Sequence, residues 1–227
     1  MPSAVVIIPA AGQGRRMGGE TPKQYLPLAG RPLLWRTLAS LVTSPLVQGI
    51  VLVIRPEDED LATRVAADFS KVRGLVPGGG ARRDSVRAGL EATTESDGLI
   101  LVHDAVRPFV SAALIERVIA AAAVSGAAIP ALPVRETIKV VAEGRVVETP
   151  PRAGLWAAQT PQGFKRSLLL EAFSQSESGA PATDEAMLVE QLGHPVQVVE
   201  GEPGNLKITT PEDLAWAGWW MNRGTGG

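Results

Sequence analysis

The sequence predicts an α/β fold, a mostly parallel sheet with helices on both faces and an extended β-arm projecting from it. Three observations lead there. Short, almost wholly apolar runs alternate with longer helical patterns, the mark of strand–helix crossover units. The first run opens directly into Pro9-Ala10-Ala11-Gly12, small residues at the place where such sheets bind ligands. After Pro133 the alternation stops and a polar, strand-like segment begins.

Taken in chain order, Val5 to Ile8, Ile50 to Ile54, Leu99 to His103, Ala127 to Leu132 and Val196 to Val199 read as strands. Each is nearly all apolar rather than alternating, which fits strands buried on both faces. Pro32 to Val42, Pro56 to Phe69, Asp84 to Ala92 and Leu114 to Val124 read as the intervening helices. Pro32 and Pro56 stand where a helix tolerates proline, at its start, and the acids at 57 to 60 favour the positive end of the dipole. From Val134 to Leu155 the pattern is polar and extended, with a turn at Glu143-Gly144 and prolines at 150 and 151, so a hairpin arm is expected rather than another crossover. Helices resume at Arg166 to Phe173 and Asp184 to Leu192, and an amphipathic helix from Pro211 to Met221 carries Trp216, Trp219 and Trp220. The tail 224–227 is expected to be disordered.

Composition narrows the function. A chain of 227 residues, 45% hydrophobic, can bury a substantial core. Its formal charge of −2 offers no general field for a nucleic-acid backbone or an anionic membrane, so neither is expected as a partner. No stretch approaches the roughly 20 apolar residues of a membrane span. The absence of cysteine excludes a disulfide framework, a thiolate metal site and a thiol nucleophile, and fits a cytoplasmic enzyme.

The chemistry concentrates after the strands. Gly12 and Gly14 bring flexible backbone to a strand end, but position 17 is Met, so the third glycine of a dinucleotide fingerprint is missing. An ordinary strand-to-helix turn accounts for two glycines as well. Arg15, Arg16 and Lys23 in the same loop suit either the several negative charges of a triphosphate, beside close-approaching backbone, or a plain solvated surface cluster. At Leu101 to Pro108 a carboxylate, Asp104, ends a buried strand, with Arg107 three residues on; this suits either a divalent cation or a plain salt bridge. His103 reads as a buried, hydrogen-bonded core residue. Ser85 reads either as a ligand contact or, like Asp84, as a helix cap.

The stretch from Pro9 to Tyr25, ending Pro22-Lys23-Gln24-Tyr25, resembles the signature loop of the 2-C-methyl-D-erythritol 4-phosphate cytidylyltransferases. Further similar segments follow in order: Gly78 to Val86, Leu101 to Pro108, Val134 to Lys139, Arg152 to Gln162, Thr183-Asp184-Glu185 and Asn205 to Thr209. The resemblance implies an α/β, Rossmann-like nucleotidyltransferase domain over residues 1–223 with a projecting arm at about 134–157, and transfer of CMP from CTP to methylerythritol phosphate with release of pyrophosphate. It implies Arg16, Lys23 and Lys207 as catalytic residues. Ala10, Ala11, Gly12, Gly79, Arg82, Ser85, Asp104 and Ala105 would bind the nucleotide, and Asp104 would be the ligand of Mg²⁺ or another divalent cation. Arg107, Thr137, Arg152, Thr160 and Thr183 would bind the acceptor. In such enzymes the arm crosses a two-fold homodimer, so Thr137 and Arg152 would act on the neighbouring chain's site. This chain has Gly80 where many relatives carry an acid, which leaves base contacts there to the backbone.

Ribitol-5-phosphate cytidylyltransferases share the His-Asp and Thr-Pro-Gln steps, and a catalytically silent nucleotide-binding regulator is a third reading. Pro9-Ala10-Ala11-Gly12, Glu136-Thr137-Ile138-Lys139 and Arg152 to Trp156 favour the methylerythritol phosphate enzyme. Asp104, Arg16 and Lys23 together argue against the silent regulator.

Overall fold

The computed structural model describes residues 2–12, 21–176 and 182–224. In chain order the elements are β1 (Ala4–Pro9), β2 (Pro27–Leu28), β3 (Arg31–Pro32), α1 (Leu33–Leu41), β4 (Val47–Ile54), α2 (Glu59–Ala66), β5 (Val72–Pro77), α3 (Arg82–Glu91) and β6 (Leu99–Val102). They continue with α4 (Ala112–Ser125), β7 (Ala127–Pro133), β8 (Val140–Ala142), β9 (Arg145–Glu148), β10 (Trp156–Ala158), β11 (Gln162–Lys165), α5 (Arg166–Gln175), α6 (Glu185–Gln191), β12 (Gln197–Glu200) and α7 (Pro211–Gly224).

β1 lies between β4 and β6, parallel to both, and β5 extends the sheet beyond β4, also parallel. On the other side β11 runs antiparallel between β6 and β7, β10 pairs antiparallel with the far end of β7, and β12 pairs parallel with β7. The two-residue period of a strand sorts side chains onto two faces. Val6, Ile8, Leu52 and Leu101 join one core with Leu38 of α1, Val65 of α2 and Val118 of α4. Val5, Ile7, Val53 and Ile100 join a second with Leu90 of α3, Leu169 of α5 and Val189 of α6. Burial on both faces is why these strands read as continuous apolar runs.

The strands at the margins differ from expectation. Val196 to Val199 was expected to be buried, yet among the described residues β12 pairs only with β7, and Val198 keeps 42% of its surface exposed. β5 was not expected, because a strand flanked on one side only tolerates Arg73 and Gly74 within it. β10 and β11 are similarly short; Trp156–Ala158 rejoins the main sheet, so the extended excursion is confined to the residues before it.

The arm itself is the hairpin of β8 and β9, turning at Glu143 and Gly144 with φ of 50° and 75°. Two successive left-handed residues suit a two-residue hairpin turn. Every residue of β8 and β9 is exposed, including Val140, Val141, Val146 and Val147.

Near the sheet's carboxyl end, Ala217 of α7 packs with Leu28, Leu33, Val106 and Ile208. Trp216 stacks on Trp220 at 5.3 Å, and both stay partly open to solvent. α7 continues through Gly224, one residue into the expected tail; 225–227 lie outside the described residues.

Candidate active site

The carboxyl ends of β1 and β6 open into a cleft walled by the loop after β1, the turn before α3 and the segment before α7. Ala10, Ala11, Gly12 and Lys23 line one side. Ala10 is held by its N–H to the Val53 carbonyl at 2.7 Å, and its own carbonyl accepts from the buried Gln24 side chain at 2.5 Å. Gly79, Arg82 and Ser85 line the facing side, and Asp104, Ala105 and Lys207 the floor. Arg16, with Arg15, lies outside the described residues.

The close approach of the two walls depends on Gly78. A Cβ there would sit 2.5 Å from the Ala11 Cβ and 2.9 Å from Ser85 Oγ, whereas one on Gly80 would meet nothing within 4 Å. Neither Ser85 nor Asp84 is the residue that precedes α3; Ala81 is, and Asp84 accepts its N–H at 3.0 Å from within the first turn. Ser85 is buried and its hydroxyl donates to the Ala81 carbonyl at 3.2 Å.

Asp104 is the electrostatic centre. Its Oδ2 lies 3.0 Å from Lys207 Nζ and 3.1 Å from Arg107 Nε, and its Oδ1 lies 3.6 Å from Arg82 Nη2. Burial alone raises a carboxyl's pKa, but Lys207, Arg82 and Arg107 outweigh it and hold Asp104 well below the usual carboxylate range. The salt bridge to Arg107 is therefore present, as one of three contacts around a carboxylate that faces the cleft. Arg82 also grips the buried Glu185 at 2.7 and 3.0 Å. Sequence reasoning gave Glu185 no role, since nothing local marks a partner so distant in the chain. Arg107 Nη1 donates to the Asn205 carbonyl at 2.8 Å, which gives Asn205 a part it had not been assigned.

The expected acceptor residues divide. Arg107 is buried beside Asp104. Thr160 is buried too, and its hydroxyl is held: the oxygen accepts the Asp104 N–H at 3.1 Å and lies 3.1 Å from His103 Nδ1. With its single proton turned to His103, the hydroxyl keeps one lone pair to offer a ligand. Thr183 is exposed and is not part of the cleft lining; its neighbour Asp184 caps α6 by accepting the Met187 N–H at 3.1 Å. Thr137 and Arg152 are exposed at the base of the arm, where Arg152 Nη1 donates to the Arg135 carbonyl at 2.6 Å, and neither lines this chain's cleft. His103 is fully buried, and burial holds its imidazole down at about 4 against partial support from the Arg107 carbonyl.

Residues 4–223 match the family model described as IspD: 2-C-methyl-D-erythritol 4-phosphate cytidylyltransferase. The chain belongs to this cytidylyltransferase family. A 2-C-methyl-D-erythritol 4-phosphate cytidylyltransferase of Syntrophotalea carbinolica is 47% identical over 220 residues, covering 95% of this chain and 94% of that one. One of Symbiobacterium thermophilum is 48% identical over 214 residues, covering 93% and 90% respectively. The crystal structure of 4-diphosphocytidyl-2C-methyl-D-erythritol synthase from Anaerococcus prevotii superposes with a TM-score of 0.85 at 32% identity, over 98% of this chain and 99% of that one. For a cytidylyltransferase the arrangement is chemically apt: backbone of small residues and several cations converge on one cleft, a surrounding suited to phosphates.

Proposed function

We propose that this cleft is where CMP is transferred from CTP to 2-C-methyl-D-erythritol 4-phosphate, forming 4-diphosphocytidyl-2-C-methyl-D-erythritol and pyrophosphate. The observation that carries the reading is the cluster of Lys207, Arg107 and Arg82 about the Asp104 carboxylate at the end of β6. The loop after β1, with Arg16 and Lys23, and the turn at Gly79 hold the nucleotide. Arg82 and Ser85 stand on the same wall, and Arg107 takes the acceptor phosphate.

No strong base is required. A phosphate monoester has a second pKa of about 6 and is already a nucleophile near neutrality. Positioning and charge then dominate: the acceptor phosphate attacks the α-phosphorus in line while Lys23, Lys207 and Arg16 stabilise charge on the transferring group and departing pyrophosphate. Each contact that strengthens in the transition state contributes roughly 3 kcal/mol, about a hundredfold in rate.

Among the described residues no three His, Asp or Glu are grouped to hold a metal ion. Asp104 is a single cleft carboxylate with cations already around it, which fits a Mg²⁺ taking most of its oxygens from the triphosphate. Bound there, Mg²⁺ or another divalent cation supplies charge neutralisation at the phosphates.

The exposed valines of the arm, and the absence of Thr137 and Arg152 from the lining of this chain's cleft, support a homodimer in which each arm serves its neighbour. Among the described residues no helix is long and apolar enough to cross a membrane, and the lack of cysteine agrees with a cytoplasmic setting. Incubating the protein with CTP, Mg²⁺ and either methylerythritol phosphate or ribitol 5-phosphate, with product mass as readout, tests the reading. Product with the first acceptor supports it; product only with the second overturns the acceptor assignment.

A further inference from the structure

Behind the cleft, four side chains and backbones from three segments close a hydrogen-bonded circuit. His103 Nε2 lies 3.1 Å from the Arg107 carbonyl oxygen, which can only accept, so Nε2 carries the proton. In the neutral ring Nδ1 is then an acceptor, and it takes the Thr160 hydroxyl proton at 3.1 Å. Asn205 Nδ2 donates to the Thr160 carbonyl at 2.8 Å, and Arg107 Nη1 donates to the Asn205 carbonyl at 2.8 Å. Every link donates in one sense around the ring. His103, Thr160 and Asn205 are all buried, so no water competes for these bonds.

Asp104, which lines the cleft, and Arg107 beside it hang from this circuit. The Thr160 hydroxyl oxygen accepts the Asp104 N–H at 3.1 Å, fixing the backbone that carries the carboxylate. Arg107 is held at its carbonyl by His103, at Nη1 by Asn205 and at Nε by Asp104. One imidazole therefore ties the residue at the nucleotide side to the residue at the acceptor side.

We propose that His103 is a positioning residue for the transfer reaction, setting Asp104 through Thr160 and Arg107 through its carbonyl. This rests on the roles given to Asp104 and Arg107 under Proposed function. Because the ring uses two different atoms, the two effects separate. His103→Asn retains an acceptor near Nδ1 but loses the donor to Arg107; His103→Gln retains a donor near Nε2 but loses the acceptor for Thr160.

The experiment measures kcat and both KM values, per mole of folded enzyme, for the wild type, His103→Asn, His103→Gln, Thr160→Val, Thr160→Ser and the His103→Gln/Thr160→Val double variant. The expected result for His103→Asn is an acceptor KM raised about tenfold with the CTP KM within about twofold. For His103→Gln and Thr160→Val it is a kcat lowered about tenfold, with the double variant no worse than Thr160→Val alone, because that change already removes the bond lost in His103→Gln together with the acceptor for the Asp104 N–H. Thr160→Ser, which keeps the hydroxyl, recovers most of the rate and serves as the check that folding is not the cause. Variants that lose melting temperature but keep all three constants overturn the proposal and leave His103 a packing residue, as does an equal loss toward both substrates in His103→Asn. A wild type that makes no product overturns the functional reading and this one with it, whereas an active wild type with indifferent variants overturns this one alone.

Discussion

Lys207 Nζ lies 3.0 Å from Asp104 Oδ2, joining the segment that precedes α7 to the end of β6. The partners are unequal: the Asp104 side chain is 9% exposed and that of Lys207 41%. Asp104 is the fixed member, and Lys207 can turn toward phosphates entering the cleft. Lys207→Ala is expected to lower kcat roughly a hundredfold while raising the KM for CTP much less. Steady-state kinetics check it; an effect confined to KM would make Lys207 a binder of ground-state CTP.

The crossed-arm dimer predicts complementation. Lys23→Ala and Arg152→Ala homodimers are each expected to be nearly inactive, but their lesions fall in different halves of a shared site. After random subunit exchange, half the dimers are mixed and half of their sites are whole, so roughly a quarter of wild-type activity returns. Exchange is confirmed by native mass; activity that stays at the single-variant level shows that Arg152 serves its own chain.

The wall glycines differ sharply. Gly78→Ala forces a Cβ to within 2.5 Å of Ala11 and 2.9 Å of Ser85, so the walls must part and CTP affinity is expected to drop about tenfold or more. Gly80→Ala meets nothing within 4 Å and is expected to bind CTP within about twofold of wild type. Calorimetric titration with CTP compares them.

Stability carries a pH signature from His103. The folded imidazole is held down at about 4, first by burial, while in the unfolded chain it titrates near 6.5. Between those values the unfolded chain binds a proton that the native state refuses, so stability is complete above about pH 6.5 and falls by roughly 3 kcal/mol toward pH 4. Carboxyls held low, such as Asp104, act only at still lower pH. Urea unfolding from about pH 7 to about pH 4 is expected to show a shallower slope in His103→Asn than in the wild type; equal slopes would place the proton elsewhere.

The sequence made legible whatever is encoded locally. β1, β4, β6 and β7 are apolar because both faces are covered, and Glu143-Gly144 names its own turn. Small residues and Lys23 after a strand end signalled one wall of the cleft, and Asp104 signalled its floor. What stayed hidden depends on distant partners. β5 and β12 carry polar or exposed residues because each pairs on one edge, and an edge strand leaves no apolar run. Glu185 meets Arg82, and Asn205 meets Arg107 and Thr160, only because the topology brings them together. Thr160 was assigned to the acceptor from its segment alone; the direction of its hydroxyl proton is a property of the assembled core.

The most direct test is Asp104→Asn, which keeps the shape of the side chain and removes the charge on which Lys207, Arg107 and Arg82 converge. Circular dichroism and melting temperature establish that the variant is folded, and pyrophosphate release with product mass is followed at saturating CTP, acceptor and Mg²⁺. The account predicts turnover reduced at least a hundredfold in a folded protein. Turnover equal to wild type at saturating Mg²⁺ would contradict it and move the reaction centre away from the end of β6.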